Sequence, residues 1–348
     1  MILMVVACGQ LTQLVECHLD VVKVGGSSPS LPTKMVWYNK PGFIFLYRND
    51  SMLLCEDWQD YRLLDSGNGE KLEKWGPYIL RRPDPQAVWP FDNHDQKWDR
   101  VDAFYHRSDS GGGYWEKYGA MPETWIICYR NLRLNVQLMQ FKHTGVFPEQ
   151  AVNWNWITER ISEESKRKLE KGVNERIKVL NLFAYTGAAT VAAALAGAEV
   201  CHVDAAKGIV AKAKENTVCS EVPYERTRYI VDDVLKFVKR EIKRNKKYDA
   251  VIMDPPTYGR GPGGELWKIE SQLYDLVNEC RSLLTKRPLF FLINSYSSTL
   301  SATVIENILS LTVKNEFGGR TVSDEIGLKS ERKGIVLPCG CCGRWEMH

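Results

Sequence analysis

Apolar residues in the second half of the chain fall into short uninterrupted runs between stretches with helical character. Residues 179–185 (VLNLFAY) form one such run, which stops at Thr186-Gly187. Small side chains fill residues 188–196, and a second apolar run then ends on Asp204. Runs of this length beside helices are typical of buried parallel strands. The pattern predicts strand, tight turn, helix and strand, with an acidic residue at the second strand's end.

The same arrangement recurs downstream. Residues 227–238 (TRYIVDDVLKFV) predict a third strand that ends at Asp232 and Asp233 and leads into a helix. Residues 248–253 (YDAVIM) predict a buried strand that runs into Asp254-Pro255-Pro256. Two prolines cannot continue a central strand, so the chain must leave the sheet there. Acidic residues are therefore expected at the carboxyl ends of three successive strands, which form the ligand-binding edge of an open α/β sheet.

Helical spacing and further apolar runs complete a doubly wound, Rossmann-like α/β domain. Helices are predicted at 151–172, 206–217, 234–247, 267–284 and 301–311, a strand at 288–295, and a final short strand in a hairpin at 334–337. The stretch 236–247 carries seven Lys or Arg against one Glu, which is either a phosphate-binding surface or, more simply, a solvated helix face.

Residues 52–145 have a different pattern, in which short apolar or aromatic runs alternate with turn signals such as DSGNGE and RRPDP. This pattern predicts a small, mostly β domain. Seven of the eleven tryptophans lie between Trp75 and Trp156. They are either a platform on which nucleobases stack or, as we favour, the aromatic core of a sheet. Four arginines there are candidates for phosphate contact or for plain solvation: Arg81, Arg82, Arg130 and Arg133.

Residues 1–51 are expected to be a tail or linker rather than a domain, which leaves 52–145 and 146–348 as the two domains. The apolar start lacks the preceding Lys or Arg of a signal peptide. Codons for residues 12–30 can resemble the D-arm and T-arm of a transfer RNA gene, which suggests a start codon placed too far upstream. Met35 and Met52 are the candidate true starts, and Met52 is favoured.

Composition narrows the class of protein. A chain of 348 residues suits about two domains, and a net charge of +3 does not by itself argue for nucleic acid. Ten dispersed cysteines indicate a reducing cytosol, and no apolar stretch is long enough to span a bilayer. Cys339, Cys341 and Cys342 lack a second ligand pair at metal spacing, so we expect a turn beside the last strand and no metal.

The segments NLFAYTGAATV and DPPTYG resemble class I S-adenosylmethionine-dependent methyltransferases, and within them the bacterial large-subunit ribosomal RNA methyltransferase group. The resemblance covers the chain from Gly145 to its C-terminus. It implies a seven-stranded sheet with an antiparallel last strand, S-adenosylmethionine as cofactor and ribosomal RNA as partner, in the cytoplasm. Rival interpretations are methylation of a protein or small molecule by the same fold, and a binding module that has lost catalysis.

The resemblance also implies roles for single residues. Cofactor-binding residues would be Gln150 in the lead-in GVFPEQ, Phe183, Tyr185 and Gly187 in the turn around the methionine part, Asp204 at the ribose, and Asp233 or Asp232 at the adenine amino group. Alternating glycines are usual in that turn, but here only Gly187 remains. The target atom would be bordered by Asp254, Pro255 and Pro256.

The loop 257–264 (TYGRGPGG) follows these prolines, and its four glycines suit movement over a substrate. Tyr258 is expected to stack on a base and Arg260 to hold phosphate. Methylation of pyrimidine carbon 5 needs an attacking cysteine, which the similar family carries just after the fifth strand. Residues 294–298 (NSYSS) have none. We therefore expect transfer to a nitrogen, with a guanine ring nitrogen first, or to an oxygen.

Overall fold

A computed structural model describes residues 52–90, 96–108, 112–139, 141–260, 264, 266–332 and 334–348. The predictions for residues 1–51, including the candidate start Met35, lie outside these described residues, whereas the favoured start Met52 lies within them. Met52–His348 forms one unit by its contacts. The division at residues 145 and 146 stays a prediction.

The first half of the described chain is built from strands that follow the turn signals. The two-residue turn at Asn68 (φ 49°) and Gly69 (φ 78°) has the left-handed backbone of a tight hairpin. Strands β2 to β6 form one sheet in sequence order, and β7 and β8 form a separate hairpin. The strands are β1 (Leu53–Leu54), β2 (Tyr61–Gly67), β3 (Glu70–Trp75), β4 (Tyr78–Pro83), β5 (Ala103–Arg107), β6 (Gly113–Lys117), β7 (Trp125–Tyr129) and β8 (Leu132–Val136).

The seven tryptophans between Trp75 and Trp156 belong to the core rather than to an exposed platform. Trp75, Trp98, Trp125 and Trp154 are buried, and the other three are half-buried and packed against the core.

The second half alternates helices with strands, as the apolar runs predict. Its helices are α1 (Ala151–Glu170), α2 (Ala188–Leu195), α3 (Lys207–Cys219), α4 (Val234–Lys243), α5 (Ile269–Arg281), α6 (Ala302–Leu309) and α7 (Asn315–Phe317). Its strands are β9 (Lys178–Leu182), β10 (Glu199–Asp204), β11 (Thr227–Val231), β12 (Ala250–Met253), β13 (Tyr258–Arg260), β14 (Leu266–Lys268), β15 (Phe290–Ser295), β16 (Arg320–Lys329) and β17 (Val336–Glu346).

The main sheet has the order β1-β16-β17-β15-β12-β9-β10-β11. The five strands from β15 to β11 are parallel, and β17 is antiparallel to both of its neighbours. The expected seven-stranded sheet with an antiparallel last strand is thus confirmed. The pair Leu53-Leu54 adds an eighth strand beside β16. A run of two apolar residues is too short to predict a strand from the sequence.

Two local predictions were wrong. The final strand runs to Glu346, so Cys339, Cys341 and Cys342 lie within β17 and not in a turn. The helix expected from residue 267 begins at Ile269, because 266–268 instead pair with 258–260 as a two-stranded hairpin. Among the described residues, no group of three or more His, Cys, Asp or Glu is placed to hold a metal. In the same part of the chain, no helix is both long and apolar enough to cross a membrane.

Both faces of the main sheet are covered, which explains the uninterrupted apolar runs. Along β15, Phe290 and Leu292 pack into one buried cluster while Phe291 and Ile293 pack into the other. Because alternate side chains of a strand point to opposite faces, a strand covered on both sides needs apolar residues at successive positions.

A buried ion pair links the five-stranded sheet of β2 to β6, the small sheet, to the loop before α1. Glu73 is fully buried and accepts two hydrogen bonds from Arg82, of 2.6 and 2.8 Å, and one of 2.9 Å from the Tyr61 hydroxyl. Arg82 also donates through Nη1 to the carbonyl of Lys142 at 2.8 Å. Arg82 is therefore a structural cation, which corrects the suggestion that it contacts phosphate; Arg81 pairs likewise with Glu70.

Glu73→Gln should lower the free energy of unfolding by about 3–5 kcal/mol, since it leaves Arg82 buried without its counter-charge. Burial alone would raise the pKa of Glu73, but Arg82 and Lys71 outweigh it and lower the pKa to about 2. The stabilisation is therefore complete above the ordinary value of 4.5 and is lost as pH falls towards 2. Urea unfolding at pH 7 and near pH 2 measures both effects. The control Glu331→Gln removes the exposed partner of Arg62 and should cost less than about 1 kcal/mol; equal losses would contradict the prediction.

Candidate functional site

The turn after β9 has three left-handed residues at alternate positions. Phe183 has a φ of 51°, Tyr185 of 49° and Gly187 of 82°. Glycine adopts this backbone freely, whereas other residues pay about 1 kcal/mol or more. The backbone that alternating glycines would allow is therefore present here with two aromatic side chains in place of glycine. Strained residues of this kind persist where the surrounding structure fixes them, often at functional sites.

Hydrogen bonds from two neighbouring elements hold the turn. The Ala184 N–H donates to the carbonyl of Val203 at 3.0 Å, and the Tyr185 N–H donates to the Asp204 carboxylate at 2.9 Å. The Asn216 side chain on α3 donates to the carbonyl of Thr186 at 2.8 Å. The turn is thus anchored to β10 and to α3.

Gly187 is the N-cap of α2 and lies close to neighbouring side chains. A Cβ added to this residue would lie 2.9 Å from the Cβ of Ala213 and 3.4 Å from Cε1 of His202. Small side chains on α2 and α3 thus let the helices approach at the end of β9, as the alanine-rich stretch suggested.

The acidic residues at the strand ends differ in their partners. Asp204 accepts from the N–H groups of Tyr185 and Ala206, at 2.9 and 3.0 Å, and burial raises the pKa of its carboxyl group. Asp233 caps α4 by accepting from the Lys236 N–H at 2.9 Å. Asp232 instead forms an ion pair with Arg240.

A cavity of about 320 Å³ lies at the carboxyl ends of the strands. Among the predicted site residues, its lining includes Phe183, Tyr185, Asp204, Asp233, Asp254, Pro255 and Pro256, and Arg260 also lines it. Gln150 and Gly187 line a smaller cavity of about 50 Å³, which shares Phe183, Tyr185 and Asp254 with the first.

Asp232 and Tyr258 line neither of these two cavities. The Tyr258 side chain lies on β13 and is 52% exposed. Of the two alternatives left open for the acidic pair after β11, Asp233 is therefore the one that faces the cavity.

Asp254 is the carboxyl group best placed for chemistry. Its backbone N–H donates to the carbonyl of Leu182 at 3.3 Å, which ties the end of β12 to β9. Its carboxyl group has no hydrogen-bond partner among the described residues. Burial, together with the charge of Glu149, raises the pKa of Asp254 to about 7. A carboxylate of this kind accepts protons near neutral pH.

Aromatic side chains, several of which sequence reasoning missed, form the walls of the larger cavity. Phe147 packs with its ring centroid 5.5 Å from Tyr185 and 5.4 Å from Tyr296. Trp267 lies 5.2 Å from Phe183 and donates to the carbonyl of Pro256 at 2.6 Å. The sequence placed both residues near the site, since Phe147 lies within GVFPEQ and Tyr296 follows the fifth parallel strand. Neither position predicts that the side chain points into the cavity.

Gln150, on the wall of the smaller cavity, belongs to a side-chain network. Gln150 donates to the Tyr296 hydroxyl at 2.7 Å, and its carbonyl oxygen accepts from Asn153 at 2.9 Å. Carboxylate acceptors, a close backbone at Gly187 and aromatic walls together suit a ligand that contains a nucleoside.

Comparison with known proteins agrees with this site. Residues 88–270, more than half of the chain, match the family model described as S-adenosylmethionine-dependent methyltransferase. The crystal structure of the S-adenosylmethionine-dependent methyltransferase from Agrobacterium tumefaciens is 35% identical and has a TM-score of 0.78, covering 85% of this chain and 93% of that chain. The chain belongs to the S-adenosylmethionine-dependent methyltransferase family. This family uses S-adenosylmethionine as the cofactor of a methyl transfer, as the resemblance of the sequence implied.

Curated relatives are similar over shorter segments. The ribosomal RNA large subunit methyltransferase K/L of Syntrophotalea carbinolica is 26% identical over 219 residues, which cover 61% of this chain and 28% of that protein. The ribosomal RNA large subunit methyltransferase I of Yersinia pseudotuberculosis is 29% identical over 142 residues, 40% of this chain and 33% of that protein. The chain spans between 24 and 53% of the length of the first curated relatives that it matches.

Gly187→Ala should lower the free energy of unfolding by about 2–4 kcal/mol, because left-handed strain adds to a steric clash with Ala213. Gly172→Ala is the matched control. Gly172 also has a left-handed φ of 69°, but its added Cβ meets no atom within 4 Å. The control should cost about 1 kcal/mol, since only the strain remains. Thermal or urea unfolding compares the two, and equal losses would show that the close approach at Gly187 is unimportant.

Proposed function

We propose that this enzyme methylates RNA, ribosomal RNA in the first place, on a nitrogen or an oxygen. The observation that carries the proposal is the aromatic cavity beside Asp254-Pro255-Pro256, since a planar base fits between flat aromatic walls. The names of the ribosomal RNA methyltransferases to which the chain is similar support an RNA substrate. The cytoplasm, where such RNA is found, stays the expected location.

The lining of the two cavities supports cofactor-binding roles for the predicted residues. Asp204 accepts hydrogen bonds from ribose hydroxyls, and its two backbone contacts leave further lone pairs for them. Asp233 accepts from the adenine amino group. The turn at Phe183, Tyr185 and Gly187, with Gln150, encloses the methionine part. The bound cofactor supplies an electrophilic methyl group on a sulfonium.

The remaining residues align the acceptor and exclude water. The aromatic walls and Pro255-Pro256 exclude water from the cavity where the transfer takes place. Alignment of the acceptor with the methyl group lowers the barrier of an in-line transfer. Asp254 accepts the proton that an N–H or O–H acceptor releases. Tyr258 and Arg260 on β13 are exposed and free to meet a flanking base and a phosphate.

The positions of the cysteine thiols bear on which atom accepts the methyl group. No cysteine is among the residues that line the two cavities. Cys280 is fully buried on α5, and burial raises the pKa of both Cys280 and Cys339. A neutral, buried thiol is a poor nucleophile. Attack on pyrimidine carbon 6, which methylation of carbon 5 requires, therefore lacks a suitable group in this part of the chain.

Asp204→Ala should weaken S-adenosylmethionine binding at least tenfold, because it removes charge-assisted hydrogen bonds. Isothermal titration measures the affinity. Asp275→Ala is the control, an exposed carboxylate on α5 whose loss should leave affinity unchanged. An unchanged affinity in Asp204→Ala would remove the ribose role from this residue.

No covalent adduct should form between enzyme and RNA that contains 5-fluorocytosine or 5-fluorouracil in the presence of cofactor. Such bases trap a cysteine that attacks the ring, and the site offers none. Denaturing gels detect the adduct, and mass spectrometry of digested RNA identifies the methylated nucleoside. A cofactor-dependent adduct, or label in 5-methylpyrimidines, would overturn the acceptor assignment. Label found only in protein or in small molecules would favour the rival substrate.

A further inference from the structure

The loop between β8 and α1 contributes one histidine to the wall of the larger cavity. His143 is half-buried there, and the same cavity is lined by Asp254, Tyr296 and Arg260. Its ring centroid lies 5.6 Å from that of Phe147 at an interplanar angle of 62°.

The backbone around His143 is held in place from three sides. The contacts are Met139 N–H to His143 O (3.0 Å), Gln137 N–H to Thr144 O (3.2 Å), Arg82 Nη1 to Lys142 O (2.8 Å), Lys142 Nζ to Pro83 O (3.1 Å) and Thr186 Oγ1 to Gly145 O. Arg82 is fixed in turn by Glu73. Since supporting contacts are what preorganise a functional group, the backbone that carries the imidazole is held in place before any substrate arrives.

The part of the chain that the structure describes offers the imidazole of His143 no hydrogen-bond partner. Three other polar groups on the cavity wall have a hydrogen-bond partner: Asp204 and Asp233 accept from backbone N–H groups, and the Tyr296 hydroxyl accepts from Gln150. Among the described residues, neither ring nitrogen of His143 and neither carboxyl oxygen of Asp254 has a hydrogen-bond partner. Half-buried polar groups left open in a rigid cavity are the groups that a ligand satisfies.

The surroundings of His143 set its charge. Burial, followed by the nearby cations Arg82, Lys142 and Lys71, lowers the pKa of His143 to about 4. The ring is therefore neutral at pH 7, with one nitrogen that donates a hydrogen bond and one that accepts. A neutral ring adds no repulsion to a cationic sulfonium in the same cavity.

We propose that His143 and Asp254 together hold the target base by the two adjacent groups of an oxo base, a ring N–H and a carbonyl oxygen. The inference rests on the proposed RNA function. The His143 N–H donates to the carbonyl oxygen, and the Asp254 carboxylate accepts from the ring N–H. Guanine offers this pair at N1 and O6, and uracil at N3 and O4. Adenine and cytosine have an amino group in place of the carbonyl, so two donors would face each other.

The chemistry balances on this assignment. Asp254 takes the proton of the ring nitrogen, and the electron pair of that N–H bond stays on the nitrogen. This pair forms the bond to the methyl carbon as the carbon–sulfur bond breaks, and the sulfur keeps the bonding electron pair. His143 contributes orientation and selectivity, while Asp254 is the proton acceptor.

His143→Leu and His143→Asn test the proposal, because asparagine keeps an N–H donor and leucine does not. Both are assayed with labelled S-adenosylmethionine on unmodified ribosomal RNA transcripts. We expect kcat/KM to fall about 30-fold for leucine, the effect of leaving a carbonyl unpaired, and to recover at least threefold for asparagine. Cofactor affinity and Tm should stay unchanged. The control is His106→Leu, a half-buried histidine on β5 that pairs with Glu116 outside the cavity, and it should retain full activity.

The outcomes distinguish a failure of the proposed RNA function from a failure of the role of His143. If the wild-type enzyme methylates no RNA, the proposed function fails and the role of His143 fails with it. If it methylates RNA but His143→Leu matches wild type, or if the labelled nucleoside is an adenosine or cytidine, only the role of His143 is overturned.

A second measurement changes the RNA base and uses the wild-type enzyme, so misfolding of a variant cannot affect its result. For a guanosine target, inosine keeps both N1–H and O6 and should be methylated at the normal rate. Replacement by 2,6-diaminopurine, which lacks both groups, should abolish transfer. Equal rates on the two RNAs would overturn the role of His143 whatever the variants do.

Discussion

The strained turn between β9 and α2 is the constraint on which the site depends. Each non-glycine residue in the left-handed region costs about 1–3 kcal/mol, and Phe183 and Tyr185 both occupy it. The offset comes from hydrogen bonds to Val203, Asp204 and Asn216, which belong to two other elements. Because the Tyr185 N–H is donated to Asp204, one interaction both holds the turn and orients the carboxylate at the end of β10.

The small sheet reaches the site through its buried ion pair. Glu73 fixes Arg82, Arg82 fixes the carbonyl of Lys142, and the loop then contacts the strained turn through Gly145 and Thr186. A buried ion pair seldom adds net stability over an apolar replacement. Here the pair supplies a cation whose remaining donor positions a loop at the cavity, which an apolar pair would not provide.

Burial and charge set the protonation states at the site in opposite senses. For Asp254, burial and Glu149 both disfavour the anion, so the carboxyl group can exchange a proton near pH 7. For His143, burial and Arg82 both disfavour the cation, so the ring stays neutral. The cavity therefore presents one group suited to proton transfer and one suited to hydrogen bonding, although both are ordinary titratable side chains.

The sequence by itself determined the succession of strands and helices and the acidic strand ends, because apolar runs, Asp204 and the Asp-Pro-Pro turn are local signals. Its resemblance to a known family implied the antiparallel last strand and the enzyme class. Local signals could not show that Phe183 and Tyr185 replace glycine without changing the backbone, or that Asp233 rather than Asp232 faces the cavity. The inward orientation of His143, Phe147 and Tyr296 was likewise decided by tertiary structure. Each depends on hydrogen bonds or packing from residues distant in the chain, and such contacts leave no periodic trace in the sequence.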